Sequence, residues 1–100
     1  MIIYRGVNIY PGQLMDVIGQ FPELAGEYQV ELTRDERALD HMTLTVERGQ
    51  EQTSDNDAAL AAALEQRLHK AIMARINVKV ADYASLPRTF SKSKRVVDKR

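Results

Sequence analysis

Glu27-Tyr28-Gln29-Val30-Glu31-Leu32-Thr33-Arg34 is the stretch on which the fold turns. Tyr28, Val30 and Leu32 share one side of an extended chain and Gln29, Glu31 and Thr33 the other, the period-two signature of a half-buried strand. A charged turn, Arg34-Asp35-Glu36-Arg37, leads into a second alternation, Met42, Leu44 and Val46 against Thr43, Thr45 and Glu47. The pair predicts an antiparallel hairpin closed by a long polar loop. Toward the C-terminus, residues 48–57 form a loop without apolar side chains, and Ser54 and Asp57 stand at the spacing of a helix capping box. Leu60, Leu64, Leu68, Ala71 and Ile72 then line one face of a helix running to about residue 75. The alanine-rich run 58–63 favours that helix. Ile76, Val78 and Val80 alternate with Asn77 and Lys79 as a third strand.

Toward the N-terminus, Leu14, Val17, Ile18 and Phe21 repeat at helical spacing behind Pro11, with Gly19 and Pro22 as stop signals, so a helix over about residues 11–20 is expected. Residues 2–10 carry β-branched and aromatic side chains on both sides of Arg5-Gly6, which predicts a short hairpin turning at the glycine. The sum is a single α+β domain over residues 1–100, a two-layer sandwich. Its three-stranded antiparallel sheet and two helices follow the order α-β-β-α-β, after the short N-terminal hairpin and before a basic C-terminal segment.

Composition narrows the chemistry. One hundred residues with 44% hydrophobic and 28% charged side chains build one packed core. The absence of cysteine removes disulfides, thiolate metal sites and a cysteine nucleophile, and makes the cytoplasm the expected compartment. No apolar run approaches the roughly 18 residues of a membrane span, and Arg5 and Asn8 interrupt the place where a signal peptide needs an apolar core. Neither membrane insertion nor secretion is expected. The formal charge of zero hides an asymmetry: residues 1–87 hold eight Lys or Arg against thirteen Asp or Glu, whereas residues 88–100 hold Arg88, Lys92, Lys94, Arg95, Lys99 and Arg100 against Asp98 alone. Such an end attracts phosphate groups or is a solvated tail. The four Tyr and two Phe do not form a base-stacking motif, so a nucleic-acid partner is not expected.

His41 and His69 do not stand at metal-ligand spacing, so no metal site is expected. Ser91 and Ser93 have no base nearby in sequence, and no glycine-rich phosphate loop exists anywhere in the chain. Judged by charge alone, Lys92 is one exposed lysine among several.

Two motifs give Lys92 a context. Leu86-Pro87-Arg88-Thr89, then Lys92, then Arg95-Val96, resembles the closing segment of phenylacetate-CoA ligases, members of the adenylate-forming acyl-CoA ligase superfamily. Arg5-Gly6-Val7-Asn8-Ile9-Tyr10-Pro11 with Gln13 resembles the stretch that follows the hinge in the same family, and Tyr28-Gln29 resembles its first-strand pair. The likeness spans the chain. Where that family has an acidic residue and a glycine before the lysine, this chain has Phe90 and Ser91, Lys94 is the neighbouring lysine, and Gly12 replaces a serine. The resemblance implies a C-terminal lid domain that swings between two poses. In one, Lys92 would serve formation of an acyl-adenylate from ATP and an aryl-acetic acid. In the other, Arg5, Gly6, Val7 and Asn8 would line the path of the CoA pantetheine thiol. It also implies an N-terminal adenylation domain as partner, in the same chain or as a separate subunit, which would hold ATP with Mg2+, so that this chain alone would bind no cofactor and be inactive. The alternative reading is a stand-alone small-molecule-binding or dimerisation module diverged from that domain, for which a homodimer is the expected assembly.

Overall fold

The computed structural model describes residues 2–86 and 95–100. Strands β3 (Leu24–Arg34) and β4 (Asp40–Arg48) pair antiparallel, with Val30 opposite Leu44 and Leu32 opposite Met42. The alternation read from the sequence therefore places Tyr28, Val30, Leu32, Met42, Leu44 and Val46 on one face, all buried. A bulge between Leu24 and Tyr28 bends the start of β3, with Gly26 at a φ of 95°. Asp35 organises the turn, its Oδ1 accepting from the backbone N–H groups of Arg37 and Leu39 and its Oδ2 meeting His41 Nε2 at 2.8 Å.

The two helices lie over the apolar face. Helix α1 (Pro11–Ile18) begins at the expected proline and contributes Leu14, Val17 and Ile18 to the core. Gln13 Oε1 accepts from Tyr10 N at 2.9 Å, so a glutamine side chain satisfies the backbone at the start of this helix. Helix α2 (Asp57–Ile72) buries Leu64, Leu68 and Ile72 against the sheet and follows a 3₁₀ turn at Ser54–Asn56. The Ser54 and Asp57 capping box expected from the sequence is not made: the Asp57 carboxylate instead accepts from Arg48 Nε and Nη2 at 2.8 and 2.7 Å. A bidentate guanidinium outcompetes a serine backbone group for the same oxygens. Helix α2 stops at Met73, whose left-handed φ of 64° breaks the helical path, and this places the end before the expected residue 75.

The sheet is larger and differently wound than the expected three-stranded antiparallel one, although the α+β class holds. Its order is β5-β4-β3-β6, with β5 (Asn77–Ala81) parallel to β4 and β6 (Val96–Asp98) parallel to β3. Alternation reveals that a segment is a strand but not its direction. The direction of β5 follows from α2, which carries the chain back along the sheet and returns it for a parallel crossover. Strand β6 is three residues long and embedded in the basic end, so nothing in its composition separated it from a tail.

The N-terminal hairpin is as expected, with β1 (Ile2–Tyr4) and β2 (Val7–Ile9) paired from Ile2 with Ile9 to Tyr4 with Val7. Arg5 and Gly6 both have positive φ, 49° and 79°, the two-residue reversal whose twist matches that of a hairpin. Ile2, Tyr4 and Ile9 anchor it in the core, and Tyr4 Oη donates to the carbonyl of Arg75 at 2.8 Å.

Arg100 closes the structure. Its Nη1 donates to the Ile3 carbonyl at 2.7 Å and to Asp40 Oδ2 at 2.9 Å, while Nε and Nη2 clasp Asp98. The side-chain and then the backbone hydrogen bonds from Arg100 hold Asp98 at about 2 instead of 3.8. Arg34 and then Arg100 also lower Asp40.

Two tests follow from these contacts. Tyr4→Phe keeps the ring and removes only its hydroxyl bond to Arg75, so it should lower unfolding free energy by about 1 kcal/mol in a denaturant titration. Asp98 has a folded-state pKa below its unfolded one, so its contribution is complete above pH 3.8 and is lost as pH falls toward about 2. Denaturant midpoints measured across that window should fall, and Arg100→Gln should flatten the fall.

Candidate functional site

Two regions carry the residues singled out in the sequence. The first is the tip of the β1–β2 hairpin. Arg5, Gly6 and Asn8 are exposed there, whereas Val7 is half-buried and packs against the core, so the four residues divide into three that present to solvent and one that anchors. Arg5 Nε donates to the Asp40 carbonyl at 2.7 Å, and its guanidinium lies 5.5 Å from the Tyr4 ring centroid. The hairpin tip is thereby tied to the start of β4. A Cβ built on Gly6 meets nothing within 4 Å, so the domain's own packing leaves that side of the tip open. What demands glycine is the positive φ.

The second region flanks Lys92, which itself falls in residues 87–94, outside the described residues. On the N-terminal side, Glu47 Oε1 accepts from Ala84 N and Oε2 from Leu86 N, each at 2.9 Å. The alternation of β4 puts Glu47 on the polar side with Thr43 and Thr45, yet it is completely buried. The chain that follows β5 folds across the sheet and covers it. On the C-terminal side, Arg95 packs its guanidinium 5.0 Å from the Tyr28 ring centroid, approaches Glu27 Oε2 at 3.5 Å, and donates to Met15 Sδ at 3.7 Å. Leu86 and Arg95 are thus both held by side chains of the central hairpin. Glu47 was not among the candidates from sequence, because in a strand of known period it reads as an outward polar residue. Its burial depends on a loop more than thirty positions later in the chain.

Three cations of the basic end are paired. Among the described residues, Arg95 faces Glu27, Lys99 faces Glu31 at 3.4 Å, and Arg100 holds Asp40 and Asp98. These three charges are engaged within the domain, which leaves less of the basic end to attract an external polyanion.

A groove of about 370 Å³ opens beside the start of α2, lined in part by Phe21, Glu23, Arg48, Thr53 and Leu60. Its arginine is fully committed: besides its two bonds to Asp57, Arg48 Nη1 donates to Asp82 Oδ1 at 2.6 Å. Asp57 and then Asp82 raise the Arg48 pKa further, and Arg48 lowers that of Asp57. The groove offers a ligand mainly apolar wall, and its one arginine is already held by Asp57 and Asp82. His41 pairs with Asp35, and among the described residues no group of three His, Asp or Glu side chains converges as metal ligands. No helix among the described residues is long and apolar enough to cross a membrane.

The same architecture occurs in characterised proteins. A family model for the C-terminal domain of AMP-binding enzymes matches residues 6–100. The phenylacetate-coenzyme A ligase of Aromatoleum evansii is 34% identical over 105 aligned residues, covering 100% of this chain and 24% of that enzyme. A domain of phenylacetate-coenzyme A ligase from Bacteroides vulgatus superposes with a TM-score of 0.87 at 37% identity, covering 100% of this chain and 92% of the other. A 2-hydroxyisobutyryl-CoA ligase superposes in two states. In its thioesterification state with 2-HIB-AMP and CoA the TM-score is 0.84 at 31% identity, covering 98% of this chain and 21% of the enzyme. In its postadenylation state the TM-score is 0.81 at 28% identity, covering 100% and 22%. The chain spans about a quarter of the length of the curated relatives it matches. With the family model matching residues 6–100 and the whole chain aligned to phenylacetate-CoA ligases in sequence and in structure, this protein belongs to the family of AMP-binding enzyme C-terminal domains, in the form found in phenylacetate-CoA ligases.

Proposed function

We propose that this chain acts as the mobile C-terminal domain of an aryl-acetate CoA ligase, phenylacetate-like in its acid substrate. It works with an N-terminal adenylation domain and is inactive alone. The observation that carries this reading is the separation of the two motif regions. The Arg5-Gly6 tip is pinned near Asp40, at one end of the β3–β4 hairpin, and Leu86 is pinned by Glu47, near the other end of β4. A rigid body with different residues at its two ends is suited to presenting them in turn to one site. In support, a domain of this fold is present in 2-hydroxyisobutyryl-CoA ligase structures captured in postadenylation and thioesterification states.

In the first pose a carboxylate oxygen of the acid attacks the α-phosphorus of ATP, forming the acyl-adenylate as the bond to pyrophosphate breaks, and Lys92 donates to the carboxylate and α-phosphate oxygens as negative charge accumulates. A cation aimed at that developing charge lowers the barrier without itself changing covalently. Mg2+ would accompany ATP in the N-terminal domain. In the second pose the Arg5-Gly6-Val7-Asn8 tip borders the pantetheine path. The absent Gly6 side chain leaves room for the arm there, and exposed Asn8 offers hydrogen-bonding groups to its amides. The thiol then attacks the acyl carbonyl and AMP departs.

The two regions should separate in half-reactions. With the chain fused at Met1 to the N-terminal region of a phenylacetate-CoA ligase, Lys92→Ala should lower acyl-adenylate formation by roughly a hundredfold or more. It should spare thioester formation from preformed adenylate. Equal losses in both half-reactions would contradict the role given to Lys92. Gly6→Ala should do the reverse, lowering the thioester half-reaction by about tenfold. The same substitution should reduce stability by about 1 kcal/mol through backbone strain at positive φ.

A further inference from the structure

The β1–β2 hairpin is a two-stranded sheet of its own, separate from the four-stranded sheet. Two strands of three residues each are marginal by themselves, so whatever fastens them to the body decides where their tip stands. Ile2, Tyr4 and Ile9 anchor the inner side by burial. On the outer side the fastening is polar. Along an antiparallel pair, residues that bond each other through the backbone alternate with residues whose backbone groups point outward. The tight turn at Arg5-Gly6 makes Tyr4 and Val7 a bonded pair and leaves Ile3 and Asn8 as the outward one. Arg100 Nη1 takes that outward Ile3 carbonyl at 2.7 Å. The same nitrogen donates to Asp40 Oδ2 at 2.9 Å, and the Asp40 carbonyl accepts from Arg5 Nε at 2.7 Å. Asp98 holds the other edge of the guanidinium, at 3.0 Å from Nε and 2.9 Å from Nη2, and its strand β6 pairs with β3. The Arg100 side chain is only 18% exposed, and charge-assisted bonds with little water around them are strong ones. Arg100 thus joins β6, the start of β4 and β1 through one rigid fork.

We propose that Arg100 is a positioning residue for thioester formation, holding the Arg5-Gly6-Val7-Asn8 tip in place through the Ile3 carbonyl and Asp40. The inference rests on the function proposed above for that tip. Every link in it is a contact: Ile3 lies directly opposite Asn8 in the hairpin, and Arg5 ends on the residue that Arg100 holds. The buried side chains fix one face of the hairpin and Arg100 fixes its outward edge, so together they set the angle at which the tip leaves the body. Gly6 lies three residues beyond Ile3, a span of about 10 Å at most, and a tilt at Ile3 is carried to the tip over that short lever. A misplacement of about 1 Å is enough to cost a positioned group much of its effect. Arg100 acts only through the hairpin, since its donors are committed to Ile3, Asp40 and Asp98 and its guanidinium is not offered to CoA.

A double-mutant cycle in the fused enzyme tests this, with Arg100→Gln, Gly6→Ala and their combination assayed in both half-reactions. Arg100→Gln should lower kcat/KM for CoA in thioester formation from preformed adenylate by about tenfold. Acyl-adenylate formation should change less than about twofold, with ATP and acid KM values unchanged. Because both substitutions act on the tip, their combined loss should be about tenfold to twentyfold, well short of the roughly hundredfold product of independent effects. Hydrogen exchange should show the amides of β1 and β2 losing protection while those of β3 and β4 keep theirs. Equal losses in both half-reactions, or losses that multiply in the double variant, would make Arg100 merely structural and overturn the inference. Were Gly6→Ala itself to spare thioester formation, the role given to the tip would fail and this inference with it. Loss in Gly6→Ala but none in Arg100→Gln would refute the positioning role alone. Arg100→Lys, which keeps the charge but replaces the planar fork with one ammonium group, takes the same cycle if Arg100→Gln does not fold.

Discussion

The antiparallel pairing of β3 with β4 is the interaction on which the other elements depend. It presents six buried side chains, Tyr28, Val30, Leu32, Met42, Leu44 and Val46, to a layer made by α1, α2 and the N-terminal hairpin. Burial of apolar surface at roughly 25 cal/mol per Å² makes this layer contact the main source of stability. The pair also leaves one free edge on each side. Strand β5 occupies the edge of β4 and β6 that of β3, so the chain before residue 87 and the chain after residue 94 both take their positions from the same hairpin. The ends of the two strands do the rest: Asp40 receives Arg5, Arg34 and Arg100, and Glu47 and Arg48 receive the loop after β5.

This arrangement relates the charge pattern to function. A tail of free cations would be drawn to any polyanion and would be screened at physiological salt. Among the described residues, Arg95, Lys99 and Arg100 are held by carboxylates of β3, β4 and β6, and Arg100 also fastens the first strand at the Ile3 carbonyl. Their value is positional. The groove beside α2 follows the same logic: Arg48 connects β4, the start of α2 and the loop after β5 through its bonds to Asp57 and Asp82.

Much of the fold was legible in short-range periodicity. Period two in residues 28–33 and 42–47, period 3.6 in α2, Pro11 at the start of α1 and the Arg5-Gly6 reversal each reflect a local preference that tertiary packing agrees with. Strand direction was not legible, because Val78 and Val80 alternate identically whichever way β5 runs. Strand β6 was hidden by its length and charge. The Ser54 and Asp57 motif misled because Arg48, nine residues before Asp57, competes for the same carboxylate. At the site, Lys92 and the hairpin tip stood out through family resemblance, since neither a single lysine nor a single glycine carries a specific chemical signal. Glu47 could not be found that way, for its environment is created by chain returning long after β4 has been read.

The central claim is that this domain completes an aryl-acetate CoA ligase. Its most direct test is gain of function: a phenylacetate-CoA ligase lacking its C-terminal domain is fused to this chain at Met1, and phenylacetyl-CoA formation dependent on both ATP and CoA is followed. The account predicts that turnover absent from the truncated enzyme returns with this chain. A fused protein in which the domain is folded and docked on its partner, yet makes no thioester, would contradict it.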